Sequence, residues 1–234
     1  MEIVIYLYNG ITALDAVGPY EVLSRMPDVN VKFVAERKGP IVSDSHFLKL
    51  VADYGISEIE RADILLIPGS VIGFLREAKK EHVKDWIKKI HQTTQWTTSV
   101  CTGSIILAST GLLQSLKASS HWAVIHLLKD YGAIPTLERF VREGKIITSQ
   151  GVSAGIDMGL YLASQIVGVE QAKVIQLMIE YFPEPPLGYK SMKETSEETK
   201  SLARKLNEAR VKKEMSIPEM AKHIPSILKL KRGK

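Results

Sequence analysis

The feature that most constrains this chain is a strand that ends on a lone cysteine and turns at once into a buried helix. Trp96–Val100 is aromatic and β-branched, the composition of a strand. Residues 105–108 form an apolar run that reads as the start of a buried helix. Between them lies Cys101-Thr102-Gly103-Ser104, and Cys101 is the one cysteine in 234 residues. A side chain on so sharp a turn projects away from the backbone and faces the free N–H groups of the next helix. Those groups and the helix dipole favour negative charge, so the pattern predicts a thiol of lowered pKa, partly ionised near neutral pH. The alternative for an isolated cysteine is an inert, buried filler.

The rest of the chain alternates strands with helices. Residues 2–8 are apolar and β-branched and stop at Asn9-Gly10; residues 31–36 and 62–67 repeat the pattern, and the latter stops at Pro68-Gly69-Ser70. The short runs between 40 and 51, split by Ser43-Asp44-Ser45, suggest a hairpin, as do 138–142 and 145–148 around Glu143-Gly144. A helix is expected after the first strand, with Pro19 in its first turn, where a missing N–H costs nothing. Over 77–93, Val83, Trp86, Ile87 and Ile90 fall on one face of an amphipathic helix. A short strand at 117–120 precedes a helix at 123–131, and further helices are predicted over 154–167 and 169–181, separated by Gly168. This order implies an α/β fold, a mostly parallel sheet with helices on both faces. The extended, proline-rich 182–188 marks a domain edge, giving a domain 1–188 and a charged helical extension 189–234.

Charge excludes less than it first suggests. The formal net charge is +5, but residues 200–234 hold 11 Lys/Arg against 3 Asp/Glu, leaving 20 against 23 in the remainder. The basicity belongs to the tail, which reads as a solvated helical face. It contains no aromatic residue after 190 on which a base could stack, so no nucleic-acid partner is expected. A single cysteine allows no internal disulfide. The first residues lack the basic start of a signal peptide, and no apolar run reaches the roughly 18 residues of a membrane span. A soluble, cytoplasmic protein with no membrane partner is expected.

Parallel sheets bind ligands beyond the carboxyl ends of their strands. Three loops should meet there: the one carrying Asp15, the Pro68-Gly69-Ser70 loop, and the Cys101 turn. Asp15 sits among Leu14, Ala16 and Val17, a costly setting for a charge. It reads either as the proton-handling partner of Cys101, protonated while the thiol is ionised, or as a cap for a helix starting at Gly18-Pro19. The Gly69 and Ser70 N–H groups, with that of Thr102, could form an oxyanion pocket; a plain loop is the other reading. His121, after the short strand, is a candidate base or orienter for Cys101, or a structural histidine. His121 and His126 lie five apart, about 140° out of phase on a helix, so no metal site is expected. The glycine-containing turns match neither the phosphate-loop nor the dinucleotide pattern.

Taken together, these residues resemble the ThiJ/PfpI superfamily, whose flavodoxin-like fold is related to class I glutamine amidotransferase domains. Within it the chain looks most like the isonitrile hydratase branch. The resemblance runs over about residues 2–190 and rests on Leu14-Asp15-Ala16-Val17-Gly18-Pro19, Ile67-Pro68-Gly69, Ser99-Val100-Cys101-Thr102-Gly103-Ser104 and His121-Trp122-Ala123. Gly132-Ala133-Ile134-Pro135, Ala154-Gly155-Ile156-Asp157 and the 176–186 segment add to it. It implies Cys101 as nucleophile, Asp15 as acid/base, Thr102 as the neighbour that positions substrate or water, and a pocket lined by the Gly69-Ser70 loop. It implies a homodimer, a small-molecule substrate and no cofactor. The reaction would be hydration of an isonitrile to an N-substituted formamide: the thiolate attacks the terminal carbon, Asp15 supplies a proton, and Asp15 then activates water against the thioimidate. The alternative is a glyoxalase- or deglycase-like enzyme, or a redox-sensing stress protein of the same superfamily; such members typically carry glutamate where this chain has Asp15. Residue 102 is threonine rather than the histidine of the protease-like members, so their Cys–His dyad is missing. Regulators that fuse the domain to a helix-turn-helix pair need more chain than follows Leu187. Where the family usually reads Pro-Gly-Gly, this chain has Ser70, which would be strained if that position required positive φ.

Overall fold

The computed structural model describes residues 1–188 and 191–214. In chain order the elements are β1 (Glu2–Tyr6), α1 (Ala13–Leu23), β2 (Asn30–Ala35), β3 (Gly39–Val42), β4 (Lys49–Ala52), β5 (Tyr54–Gly55) and β6 (Ile64–Ile67). Then come α2 (Gly73–Glu77), α3 (Glu81–Thr93), β7 (Trp96–Val100), α4 (Gly103–Ser109), β8 (Lys117–Ala118), β9 (Ile134–Pro135), β10 (Phe140–Glu143) and β11 (Ile146–Ser149). The helices α5 (Ala154–Val167), α6 (Val169–Met178) and α7 (Glu197–Glu214) follow. Seven strands form one sheet in the order β10-β11-β7-β6-β1-β2-β5. Every pairing is parallel except the β10–β11 hairpin. The hairpin expected near 40–51 is the separate antiparallel pair β3–β4.

Unbroken apolar runs suit strands covered on both faces. Ile3 to Tyr6 and Ile64 to Ile67 are all fully buried. On α3 the residues Val83, Trp86, Ile87 and Ile90 are the buried ones, as the spacing predicts; the helix begins at Glu81, and Glu77 closes the separate α2. Helices α1 and α5 pack closely. A Cβ on Gly155 would lie 3.1 Å from both Pro19 Cγ and Val100 Cγ2, so the glycine lets α5 lie close against α1 and the end of β7.

Pro19 is not in the first turn of its helix. Helix α1 starts at Ala13 after Thr12 in extended conformation, and Pro19 lies inside it. The helix starts early because Thr12 is held from both sides: its N–H donates to Gly69 O at 2.9 Å, and its carbonyl accepts the Asp15 N–H at 3.0 Å. The proline sacrifices one intrahelical bond, and its ring packs in the notch left by Gly155. Asp15 therefore sits within the first turn of α1 and caps nothing at Gly18-Pro19. Two further spans differ. Residues 125–131 form 3₁₀ turns rather than an α-helix, and α6 ends at Met178, shortly before Glu180 at φ +47°.

Contacts divide the chain into Met1–Ile179 and Glu180–Lys234. The second unit holds a short 3₁₀ turn, Met192–Glu194, and α7. The remaining basic tail, 215–234, lies outside the described residues. No helix among the described residues is long and apolar enough to cross a membrane.

Candidate active site

Cys101 occupies the junction of β7 and α4 with φ +60°, a left-handed conformation that non-glycine residues rarely adopt. Hydrogen bonds on both sides of the residue hold it there. Its N–H is shared between Ser149 O and Gln150 O, each at 3.2 Å. Its carbonyl accepts the hydroxyls of Ser104 at 3.0 Å and Ser120 at 3.1 Å. The turn fits only because its neighbours lack side chains. A Cβ on Gly103 would meet Ile67 O at 2.0 Å, and one on Gly69 would meet Thr102 N at 2.5 Å and Cys101 Cβ at 2.8 Å.

The three predicted loops converge. Asp15 is fully buried; its Oδ2 accepts the Gly69 N–H at 3.1 Å, and its Oδ1 is buried without a hydrogen-bond partner. Its carboxyl lies within reach of the Cys101 thiol. Thr102 and Ser70 form a reciprocal pair: Thr102 Oγ1 accepts the Ser70 N–H at 2.8 Å and donates to Ser70 O at 2.8 Å. The oxyanion role expected of the Gly69 and Ser70 amides is therefore not available to them, since Asp15 takes one and Thr102 the other. Ser70 itself is unstrained, being absent from the positive-φ residues. Its hydroxyl accepts the Phe74 N–H at 2.7 Å at the start of α2, a bond a second glycine could not make.

Ionisation departs from the sequence expectation. Burial pushes the Cys101 thiol well above its ordinary value, and the Asp15 charge pushes the same way; the Thr102 N–H and hydroxyl oppose them and do not prevail. Helix α4 has seven residues, and its dipole is too small to offset the loss of water around a sulfur only 4% exposed. Burial also raises Asp15 to about 8, although Cys101 and the Gly69 N–H both favour its charged form. At neutral pH the pair is thus a thiol beside a carboxylic acid, two protons rather than the one expected.

His121 flanks the sulfur. A Cβ on Gly151 would sit 2.8 Å from Sγ and 2.9 Å from His121 Cδ2, so the missing side chain lets both the sulfur and the imidazole pack close to the backbone at 151. Burial lowers His121 to about 4. Its Nδ1 accepts the Ala123 N–H at 3.4 Å, which assigns the ring proton to Nε2. Burial thus argues against the base reading of His121 and leaves the orienting and structural readings. Ser104, Ser120 and Tyr8, whose hydroxyl donates to Pro68 O at 3.0 Å, carry no site signal in the sequence. Gly151, two residues past the end of β11, does carry a local signal, a glycine where the backbone is closely approached. Among the described residues no cluster of three or more His, Cys, Asp or Glu could hold a metal ion.

A mostly parallel flavodoxin-like sheet with an acid beside a cysteine on a strand-to-helix elbow defines a cysteine-centred α/β domain. The chain belongs to the DJ-1/PfpI family, whose pattern matches residues 1–165. It is 39% identical over 187 residues to the isonitrile hydratase of Pseudomonas putida, covering 80% of this chain and 81% of that one. It is 30% identical over 164 residues to the HTH-type transcriptional regulator CdhR of Pseudomonas aeruginosa, spanning 68% of this chain but about half (48%) of the regulator. Among solved structures, a ThiJ/PfpI family protein from Pseudomonas syringae superposes with a TM-score of 0.85 at 33% identity, over 91% of this chain and 88% of that one.

Proposed function

We propose that this protein hydrates isonitriles to N-substituted formamides with Cys101 as nucleophile and Asp15 as proton carrier. The observation that carries the reading is Asp15 beside the Cys101 elbow, fully buried with its Oδ2 accepting the Gly69 N–H at 3.1 Å, a setting that raises its carboxyl to about 8. The likeness to the isonitrile hydratase supports the choice of substrate.

The protonation state suits an isonitrile, whose terminal carbon is attacked by acid and nucleophile together. Asp15 gives its proton to that carbon while Sγ bonds to the same atom, and the thiol proton passes to the Asp15 carboxylate. The result is a thioimidate, R–N=CH–S–Cys101, beside a re-protonated Asp15. Water then adds to the carbon as the nitrogen takes a proton from Asp15, and the carboxylate takes one from the water. The C–S bond breaks as the carbonyl forms, the hydroxyl proton returns to sulfur, and the formamide leaves. His121 Nε2–H is the donor proposed to hydrogen-bond the substrate end beside Sγ. The redox-sensing alternative is weakened by the same geometry, because a buried thiol held above its ordinary pKa is a poor target for peroxide. A homodimer is proposed on the family resemblance alone.

Incubation with simple alkyl isonitriles should release the matching formamides, and Cys101→Ala should abolish the product. Absence of turnover across a panel of isonitriles, with methylglyoxal consumed instead, would overturn the assignment in favour of a glyoxalase-like activity.

A further inference from the structure

A cavity of about 490 Å³ lies at the carboxyl ends of β1 and β2. Its size is that of small-molecule sites, and its place in the sheet is one where ligands bind. Asp15, Cys101 and Thr102 are not in its walls. The charges that are do not balance. Lys80 pairs with Glu36 at 2.7 Å and with Glu77 at 2.9 Å, and Tyr6 donates its hydroxyl to Glu77 at 2.7 Å. Lys38 is paired outside the cavity, with Glu58 at 2.8 Å. Both acids in the wall are thereby satisfied. The two arginines of the wall, Arg37 and Arg76, make no ion pair or side-chain hydrogen bond with any described residue. Arg76 is half-buried, and its Nη2 is 3.5 Å from the place a Gly10 Cβ would occupy, so its head group lies over the turn that ends β1. A guanidinium partly withdrawn from water and lacking an anion leaves strong donors unused.

We propose that this cavity binds a small organic anion through a carboxylate or phosphate group, held by the Arg76 fork with Arg37 at the mouth. A guanidinium presents parallel N–H donors that match either oxyanion in a bidentate fashion. The site is separate from the cysteine and does not depend on what that residue catalyses.

Isothermal titration of the full chain with inorganic phosphate and with succinate, at low ionic strength, tests the proposal. At least one probe should bind saturably. Tighter phosphate binding identifies a phosphate-bearing ligand, and tighter succinate binding a carboxylate. Arg76→Gln should weaken the better probe about tenfold or more, and Arg37→Gln should weaken it less. Cys101→Ala, and Lys117→Gln on the surface outside the cavity, should leave binding unchanged. Arg76→Lys guards against a folding defect: it keeps the charge, loses the fork, and must also weaken binding. The proposal is overturned if neither probe saturates, if Lys117→Gln weakens binding as much as Arg76→Gln, or if Arg76→Lys binds like wild type.

Discussion

Replacing Asp15 by asparagine should stabilise the protein relative to wild type by an amount that grows with pH. Asp15 is fully buried and raised to about 8 from its ordinary 3.8. Between those values the folded chain keeps a proton that the unfolded chain has released, so raising the pH favours unfolding. The stability linked to this group is whole below the unfolded pKa and drains away as pH climbs to the folded one. The slope is about 1.4 kcal/mol per pH unit, which makes about 3 kcal/mol between about pH 5 and pH 7. Cys101, raised above its own ordinary value, is a neutral thiol in both states across that window and adds nothing. Asparagine carries no such proton and can still accept the Gly69 N–H. Urea denaturation of both proteins at fixed concentration gives the measurement, as the difference between their extrapolated stabilities at several pH values. Other titrating groups cancel in that difference. A difference that stays flat with pH, or that turns toward wild type as pH rises, would show Asp15 to be ionised in the fold and remove the acid from the mechanism.

Further outcomes follow from the same geometry. The rate constant kcat/KM for isonitrile hydration should fall as pH rises through about 8, where Asp15 loses its proton, with no inflection from His121 near neutrality because burial holds it near 4; a pH–rate profile reads both. Thr102→Val strands the Ser70 N–H and carbonyl, two buried groups whose lost partner should cost about 2–4 kcal/mol by urea denaturation, while Thr102→Ser should keep most of the stability in the same assay. Gly151→Ala puts a methyl 2.8 Å from Sγ and should slow both turnover and alkylation of Cys101 by iodoacetamide at least about tenfold, with the fold retained by circular dichroism.

Local chemistry in the sequence was a good guide wherever local chemistry decides the structure. Trp96–Val100 and Ala154–Val167 take the predicted bounds because β-branched residues in one case and a run closed by Gly168 in the other leave few alternatives. The meeting of Asp15, the 68–70 loop and Cys101 was legible from the strand ends. Pro19 misled because its commonest place in a helix is the first turn, and the contact that starts α1 earlier is with Gly69, far away in sequence. The Thr102–Ser70 pair, 32 residues apart, has no local trace. The thiol's pKa runs against the sequence expectation for a related reason. The turn and its dipole are written in neighbouring residues, whereas the water excluded from Cys101 is set by the whole packed fold.

The two bonds between Thr102 and Ser70 have a bearing on substrate range. They clasp the elbow and the facing loop along one edge, so that edge is a fixed jaw that cannot gape for a bulkier guest. For the hydratase proposed above, room for larger side groups is then to be sought away from that edge, on the side of the sulfur where Gly151 and His121 pack.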